Sequence, residues 1–182
     1  MSDKNTHSVE DSWQIYRGDN QQRDHWKVPD PPKWRSRRAS EELAAAGDGI
    51  REKPSAATMI KGATYQSNPE IRRMVNAALH LRRPLLITGG PGTGKSSLVD
   101  SVAYELNLGE PLRWPVNSRS TLRDALYSYD AIGRMQRKGE DNASDKDLDV
   151  GYFIELGPLG TAMLPALRPR ALLIDEIDKA DI

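Results

Sequence analysis

The chain has 182 residues, 37% of them apolar and 29% charged, with 26 basic side chains balanced by 26 acidic ones. That length and balance suit a water-soluble domain with a sizeable core, and they supply no global field toward nucleic acid or anionic lipid. Cysteine is absent, which excludes disulfides, thiolate metal sites and cysteine nucleophiles.

The opening "MSDKNTHSVEDSW" has no basic flank followed by an apolar run, and no stretch of eighteen apolar residues occurs. Neither a signal peptide nor a membrane span is therefore expected, and a cytoplasmic location is. Residues 1–60 are polar, hold three of the four tryptophans and the proline cluster of "VPDPPKWRSRR", and show no sustained periodicity, so an arm or linker is expected there. Within it "SEELAAAG" predicts two helical turns, capped by Ser40 and stopped at Gly47. Trp26, Trp34, Arg35, Arg37 and Arg38 have the residue types that stack on and pair with single-stranded nucleic acid. Interleaved acids and zero net charge argue against that partner and favour tryptophans docked on protein. His7, His25 and His80 lack metal-ligand spacing and read as solvated.

The ordered core is expected over residues 61–182. In "NPEIRRMVNAALHLRR", Asn68 suits an N-cap and Pro69 the first helical position, with Ile71, Met74, Val75, Ala78 and Leu79 as one apolar stripe. "PLLIT", from Pro84 to Thr88, has the form of a strand buried on both faces. A second helix is predicted from Lys95, with Leu98, Val99, Val102, Ala103 and Leu106 inward and Asn107 or Gly109 as its end. "PLRWPV" predicts another strand. "STLRDALYSYD" predicts a helix capped by Ser120 or Thr121, with Leu122, Ala125, Leu126 and Tyr129 on one face. From Arg134 to Asp149 charges of both signs and no apolar period predict a solvated, mobile loop. "GYFIELGPLGTAMLP" returns to apolar character before the strand "ALLID". Alternating strand and helix signals predict an α/β domain with a mainly parallel sheet and flanking helices.

Between "PLLIT" and the second helix lies "GGPGTGKS", Gly89 to Ser96, which matches the P-loop (Walker A) pattern in full. Glycines let consecutive backbone N–H groups turn inward on a phosphate, and the following helix adds the positive end of its dipole. Gly89, Gly90, Pro91, Gly92, Thr93, Gly94, Lys95, Ser96 and Ser97 are the expected nucleotide-binding residues. Lys95 is assigned to the β- and γ-phosphates and Ser96 to magnesium. A glycine-rich turn with a chance lysine is the competing reading, and the strand-to-helix context weighs against it. In "ALLIDEIDK" an apolar strand delivers Asp175 and Glu176 at its C-terminal end, where open α/β sheets place ligands. Asp175 suits the Walker B role of holding magnesium through water, and Glu176 is the candidate general base acting on the attacking water. A strand ending in solvated acids is the bland alternative. No guanine-reading "NKxD" string appears, which favours an ATPase over a GTPase.

Together "GGPGTGKS" and "LLIDEIDKAD" resemble the AAA+ ATPases. "HLRRPLLITGGPGTGKSSLV", "VNSRST", "YDAIGRM" and "FIELGPLGTAML" resemble their MoxR-like branch, over about residues 60–182. Upstream, "IYRG" and "VPDPPKWR" are similar to the amino-terminal extension of some bacterial members. The resemblance implies ATP and magnesium as cofactors, a homo-oligomeric ring, taken as a hexamer, and a protein client. It also implies a von Willebrand A-type domain partner and ATP hydrolysis coupled to remodelling or maturation of the client. It implies, too, that Gly157, Pro158 and Leu159 belong to an insertion before the Walker B strand, and that Tyr65 lies near the adenine, with core packing its favoured role. In the AAA+ fold the P-loop strand lies between two strands that follow Walker B in sequence. With the sequence ending at Ile182, the chain alone is expected to be a weak or inactive ATPase with "LLIT" open along both edges. The alternative function is a nucleotide-binding switch or interaction module without turnover.

Overall fold

The computed structural model describes residues 13–27, 30, 32–35, 52–138, 149–166 and 168–180; the "SEELAAAG" helix lies outside them. The described chain is α/β and divides into two compact units. The first runs to Pro111 and takes in Pro165–Ala171; the second holds Leu112–Leu164 and the residues from Leu172 on.

In the first unit three helices surround the core: α1 (Ala56–Thr64), α2 (Pro69–Leu81) and α3 (Ser97–Glu105). Helix α2 begins as expected, with Asn68 accepting the Ile71 N–H at 2.8 Å and Pro69 in the first turn, and stops where Arg82 turns left-handed at φ 50°. Its Val75 is buried and Ile71 and Leu79 pack on the core, but Met74 is 52% exposed. The buried face is turned away from Met74 and includes the polar Asn76, which is fully buried. Helix α3 starts at Ser97 rather than at Lys95. The Ser97 N–H bonds to Gly94 O at 3.1 Å and the Leu98 N–H to Lys95 O at 3.3 Å, so the chain from Gly94 is wound in the tighter three-residue manner before regular helix begins. The helix ends where Asn107 and Gly109 adopt positive φ, with the Leu108 N–H returning to Ala103 O at 2.9 Å.

The core joins Leu98, Ala103, Leu106 and Leu108 to Val75 and to Tyr16, a residue of the expected arm. Residues 13–27 are irregular, as their composition predicts, yet Tyr16 is part of this core and Ile15 and Trp26 pack against it. Residues 84–88 form no ladder and Leu86 is 75% exposed, so the strand buried on both faces is not formed, while "LLIT" is open along its edges as expected for this chain. An extended segment becomes a strand only when a neighbour takes its N–H and C=O groups, and none among the described residues does.

In the second unit β1 (Leu112–Pro115) pairs in parallel with β4 (Leu172–Asp175), Leu112 opposite Leu172 and Pro115 opposite Asp175. This is the parallel sheet, and it has two strands. Helix α4 (Leu122–Leu126) is capped by Thr121, which accepts the Asp124 N–H at 3.2 Å, and is shorter than expected. Tyr127–Tyr129 leaves it as β2 and pairs antiparallel with β3 (Ile154–Leu156), so Tyr129 faces Ile154 and extends no helical stripe. Two tyrosines in three residues favour the pleated pairing once β3 is beside them.

The expected loop from Arg134 is also corrected. Helix α5 (Ala131–Lys138) occupies its first five residues, begun by Asp130 accepting the Gly133 N–H at 2.8 Å, with Arg137 and Lys138 in a last turn whose dipole favours cations. Residues 139–148 lie outside the description, and Asp149 opens a short turn by accepting the Gly151 N–H at 2.9 Å. Helix α6 (Pro158–Ala162) packs on α4. A Cβ at Gly157 or Gly160 would overlap the backbone carbonyls of Asp124, Ala125 or Leu126, so the two glycines are what allows this approach.

Candidate functional site

The sequence from Gly89 to Ser97 forms one continuous loop leading into α3. Gly89, Gly92 and Gly94 take φ of 152°, 75° and 78°, values that side chains resist, so the turn depends on glycine at these points. A Cβ on Gly92 would meet nothing within 4 Å; there the requirement is backbone conformation, not space. The Lys95 ammonium folds back into the loop and donates to the carbonyls of Gly89 at 3.0 Å and Gly90 at 2.6 Å. Two of its three N–H groups are thus used, and one remains for an anion. Thr93 Oγ1 donates to Gly90 O at 3.0 Å and closes the turn. Ser96 stands at the N-cap of α3 with helical backbone, φ −70° and ψ −23°. Pro91 and Thr93 are exposed. The arrangement is a glycine-rich turn with a lysine ammonium folded into it at a helix N-terminus, which is chemistry suited to phosphate.

Tyr65 packs against the core, and burial raises its phenol pKa. Its ring edge also borders the loop, since a Cβ on Gly94 would sit 3.4 Å from Tyr65 Cε2. Packing, the role favoured for it, is what is seen.

Asp175 and Glu176 belong to the second unit, whereas the glycine loop belongs to the first. Asp175 closes β4, its carbonyl accepting the Val116 N–H at 3.0 Å and its Oδ1 the Glu176 N–H at 3.1 Å. Glu176 holds a left-handed backbone, φ 56° and ψ 41°, a strained conformation for a residue with a side chain. Its carboxylate accepts from Lys179 Nζ at 2.7 Å, and this hydrogen bond raises the pKa of the exposed Lys179 ammonium.

The residues read for nucleic acid are partly placed. Trp26 donates its indole N–H to Leu106 O at 3.0 Å with the Arg168 guanidinium over its ring, and Arg83 lies over the ring of Trp34. Arg37 and Arg38 lie outside the described residues. His80 shares a 2.8 Å hydrogen bond with Trp13 O. Among the described residues no cluster of three His, Cys, Asp or Glu suits a metal ion, and no helix is long and apolar enough to cross a membrane. Ser96 lies at the start of α3 in the first unit and Asp175 at the end of β4 in the second.

Sequence reading missed the buried polar side chains Tyr16, Thr58, Asn76, Asp100, Ser101 and Glu105. The signal was present in Asn76 and Glu105, polar residues next to apolar stripe positions of their helices. The chain matches no family model, no curated protein and no solved structure.

Proposed function

We propose that this chain binds ATP through Gly89–Ser97 and, assembled as a homo-oligomeric ring of the MoxR-like AAA+ kind, hydrolyses it to remodel or mature a protein client, with a von Willebrand A-type domain protein as co-partner. The observation that carries the reading is the Lys95 ammonium held inside a glycine loop at the start of α3. Ser96 and Asp175 would hold magnesium, which supplies charge neutralisation on the phosphates when bound. Lys95 would contact the phosphates, and Glu176 would orient water and take its proton.

The Glu176–Lys179 ion pair favours a second reading, a nucleotide-binding switch without turnover, because a carboxylate already paired is a poorer base. Phosphate release and ATP affinity measured together on wild type, Lys95→Ala and Glu176→Gln separate the two. The enzyme reading expects loss of binding in Lys95→Ala, and retained binding without turnover in Glu176→Gln. Binding with no Glu176-dependent phosphate release in the assembled ring supports the switch, and equal ATP affinity in wild type and Lys95→Ala sinks both.

A further inference from the structure

We infer that residues 13–27 are a positioning strap for the glycine loop: by gripping α3 through Tyr16 and Glu105, they hold the loop in its phosphate-binding shape. The inference rests on the nucleotide reading above and adds a determinant of affinity remote from the phosphates.

The strap is attached along α3. Tyr16 is fully buried, and its hydroxyl shares a 2.8 Å hydrogen bond with Ser101 Oγ in the middle of the helix. Glu105, the last residue of α3, is also fully buried. Its carboxylate accepts the N–H groups of Arg17 at 2.5 Å and Gly18 at 2.8 Å and the Arg23 guanidinium at 2.6 Å. Its backbone oxygen takes the Arg23 N–H at 2.7 Å, and Trp26 reaches Leu106 O just beyond. On the other side Asn76 of α2 accepts the N–H groups of Ile15 at 2.6 Å and Tyr16 at 3.0 Å and donates to Tyr16 O at 2.7 Å. Gly18, at φ 62°, has no room for a Cβ against Ser67, so the turn that presents two successive N–H groups to Glu105 needs glycine.

These bonds carry more than an ordinary surface contact. Three donors on one buried carboxylate are charge-assisted, and lifting the strap away would remove all three at once. Docking of the strap and placement of α3 are therefore one event. Helix α3 is about 13 Å long and stiff, so a shift at Glu105 is felt at its first turn, which is built on Gly94 and Lys95. Tyr65 gives a second route, packed on the core that contains Tyr16 and bordering Gly94.

Coupling is reciprocal: if the docked strap favours phosphate binding, ATP must favour the docked strap. The full chain is titrated with ATP as wild type, Tyr16→Phe, Glu105→Gln and Ala125→Gly, the last a destabilising change in the other unit. In parallel, trypsin cleavage after Arg17, Arg23 and Lys27 is timed with and without ATP, with Lys95→Ala as the non-binding control. Coupling at the low end of the usual range is about fivefold. The two strap variants should weaken ATP binding by at least about that factor, while Ala125→Gly keeps wild-type affinity. ATP should slow strap cleavage in wild type and leave it unchanged in Lys95→Ala. Should Glu105→Gln fail to fold, Tyr16→Phe and the cleavage rates decide. The strap role is overturned if wild type binds ATP but its strap is cleaved equally fast with and without it, or if the folded strap variants keep wild-type affinity. A wild type that does not bind ATP overturns the nucleotide reading itself, and this inference with it.

Discussion

Replacing Tyr16 by alanine asks whether a segment with no regular structure is nonetheless part of the core. The side chain is fully buried against Val75, Leu98, Ala103, Leu106 and Leu108. Truncating an aromatic residue in such a place costs about 3–5 kcal/mol, from lost transfer energy and the cavity left behind. Tyr16→Phe keeps the ring and removes only the hydroxyl, leaving Ser101 without that partner, for about 1–3 kcal/mol. Against a whole-domain stability of about 5–15 kcal/mol, the alanine variant is a large fraction and the phenylalanine variant a measurable one. Urea unfolding followed by tryptophan fluorescence reads both, since Trp13 and Trp26 sit in the same segment. With a slope of about 2 kcal/mol per molar urea, Tyr16→Ala should lower the midpoint by about 2 M and Tyr16→Phe by about 1 M. A midpoint for Tyr16→Ala within error of wild type would show that residues 13–27 do not contribute to the folded unit, and would refute the packing described.

Gly160→Ala should destabilise by about 1–3 kcal/mol, read as a lowered thermal midpoint, because its new methyl must displace the Leu126 carbonyl; an unchanged midpoint would mean that α4 and α6 are not in backbone contact. Burial pushes the Glu105 carboxyl above its ordinary value of 4.5, with Asp19 adding to the rise, against the pull of the Arg17 and Gly18 N–H groups and Arg23. A group whose folded value is raised contributes stability that is full below 4.5 and lost as pH rises through the folded value. The stability of wild type relative to Glu105→Gln should therefore fall with rising pH in urea titrations, and a difference that grows with pH would contradict this.

Periodicity and caps made two helices of the first unit legible: Asn68 and Pro69 open α2 as read, and Asn107 and Gly109 close α3, whereas α1 (Ala56–Thr64) runs across the end of the expected arm and was not foreseen. What failed were places where a distant partner decides. Tyr127–Tyr129 fits a helical stripe, but β3 lies more than twenty positions downstream and draws it into a hairpin. "PLLIT" has the composition of a buried strand, yet strand formation needs a neighbour that composition does not reveal. The strap was read as an arm because its apolar residues have no period. Tyr16 is buried singly, and the partners that hold it and the next residues, Asn76 and Ser101 for Tyr16 and Glu105 for Arg17 and Gly18, are polar residues some sixty or more positions away. The glycine loop was the most legible part, because each required residue type sits at a fixed local offset, and the structure places them in one turn with Lys95 folded inside. Asp175 and Glu176 belong to the other unit, Asp175 eighty positions on from Lys95.

Calorimetric titration of the chain with ATP in the presence of magnesium, beside Lys95→Ala, tests the central claim most directly. Saturable binding at one site in wild type, abolished in a Lys95→Ala variant that unfolds with the wild-type urea midpoint, is the result predicted. No binding by folded wild type, or equal affinity in the variant, would contradict the assignment of Gly89–Ser97 as a nucleotide site.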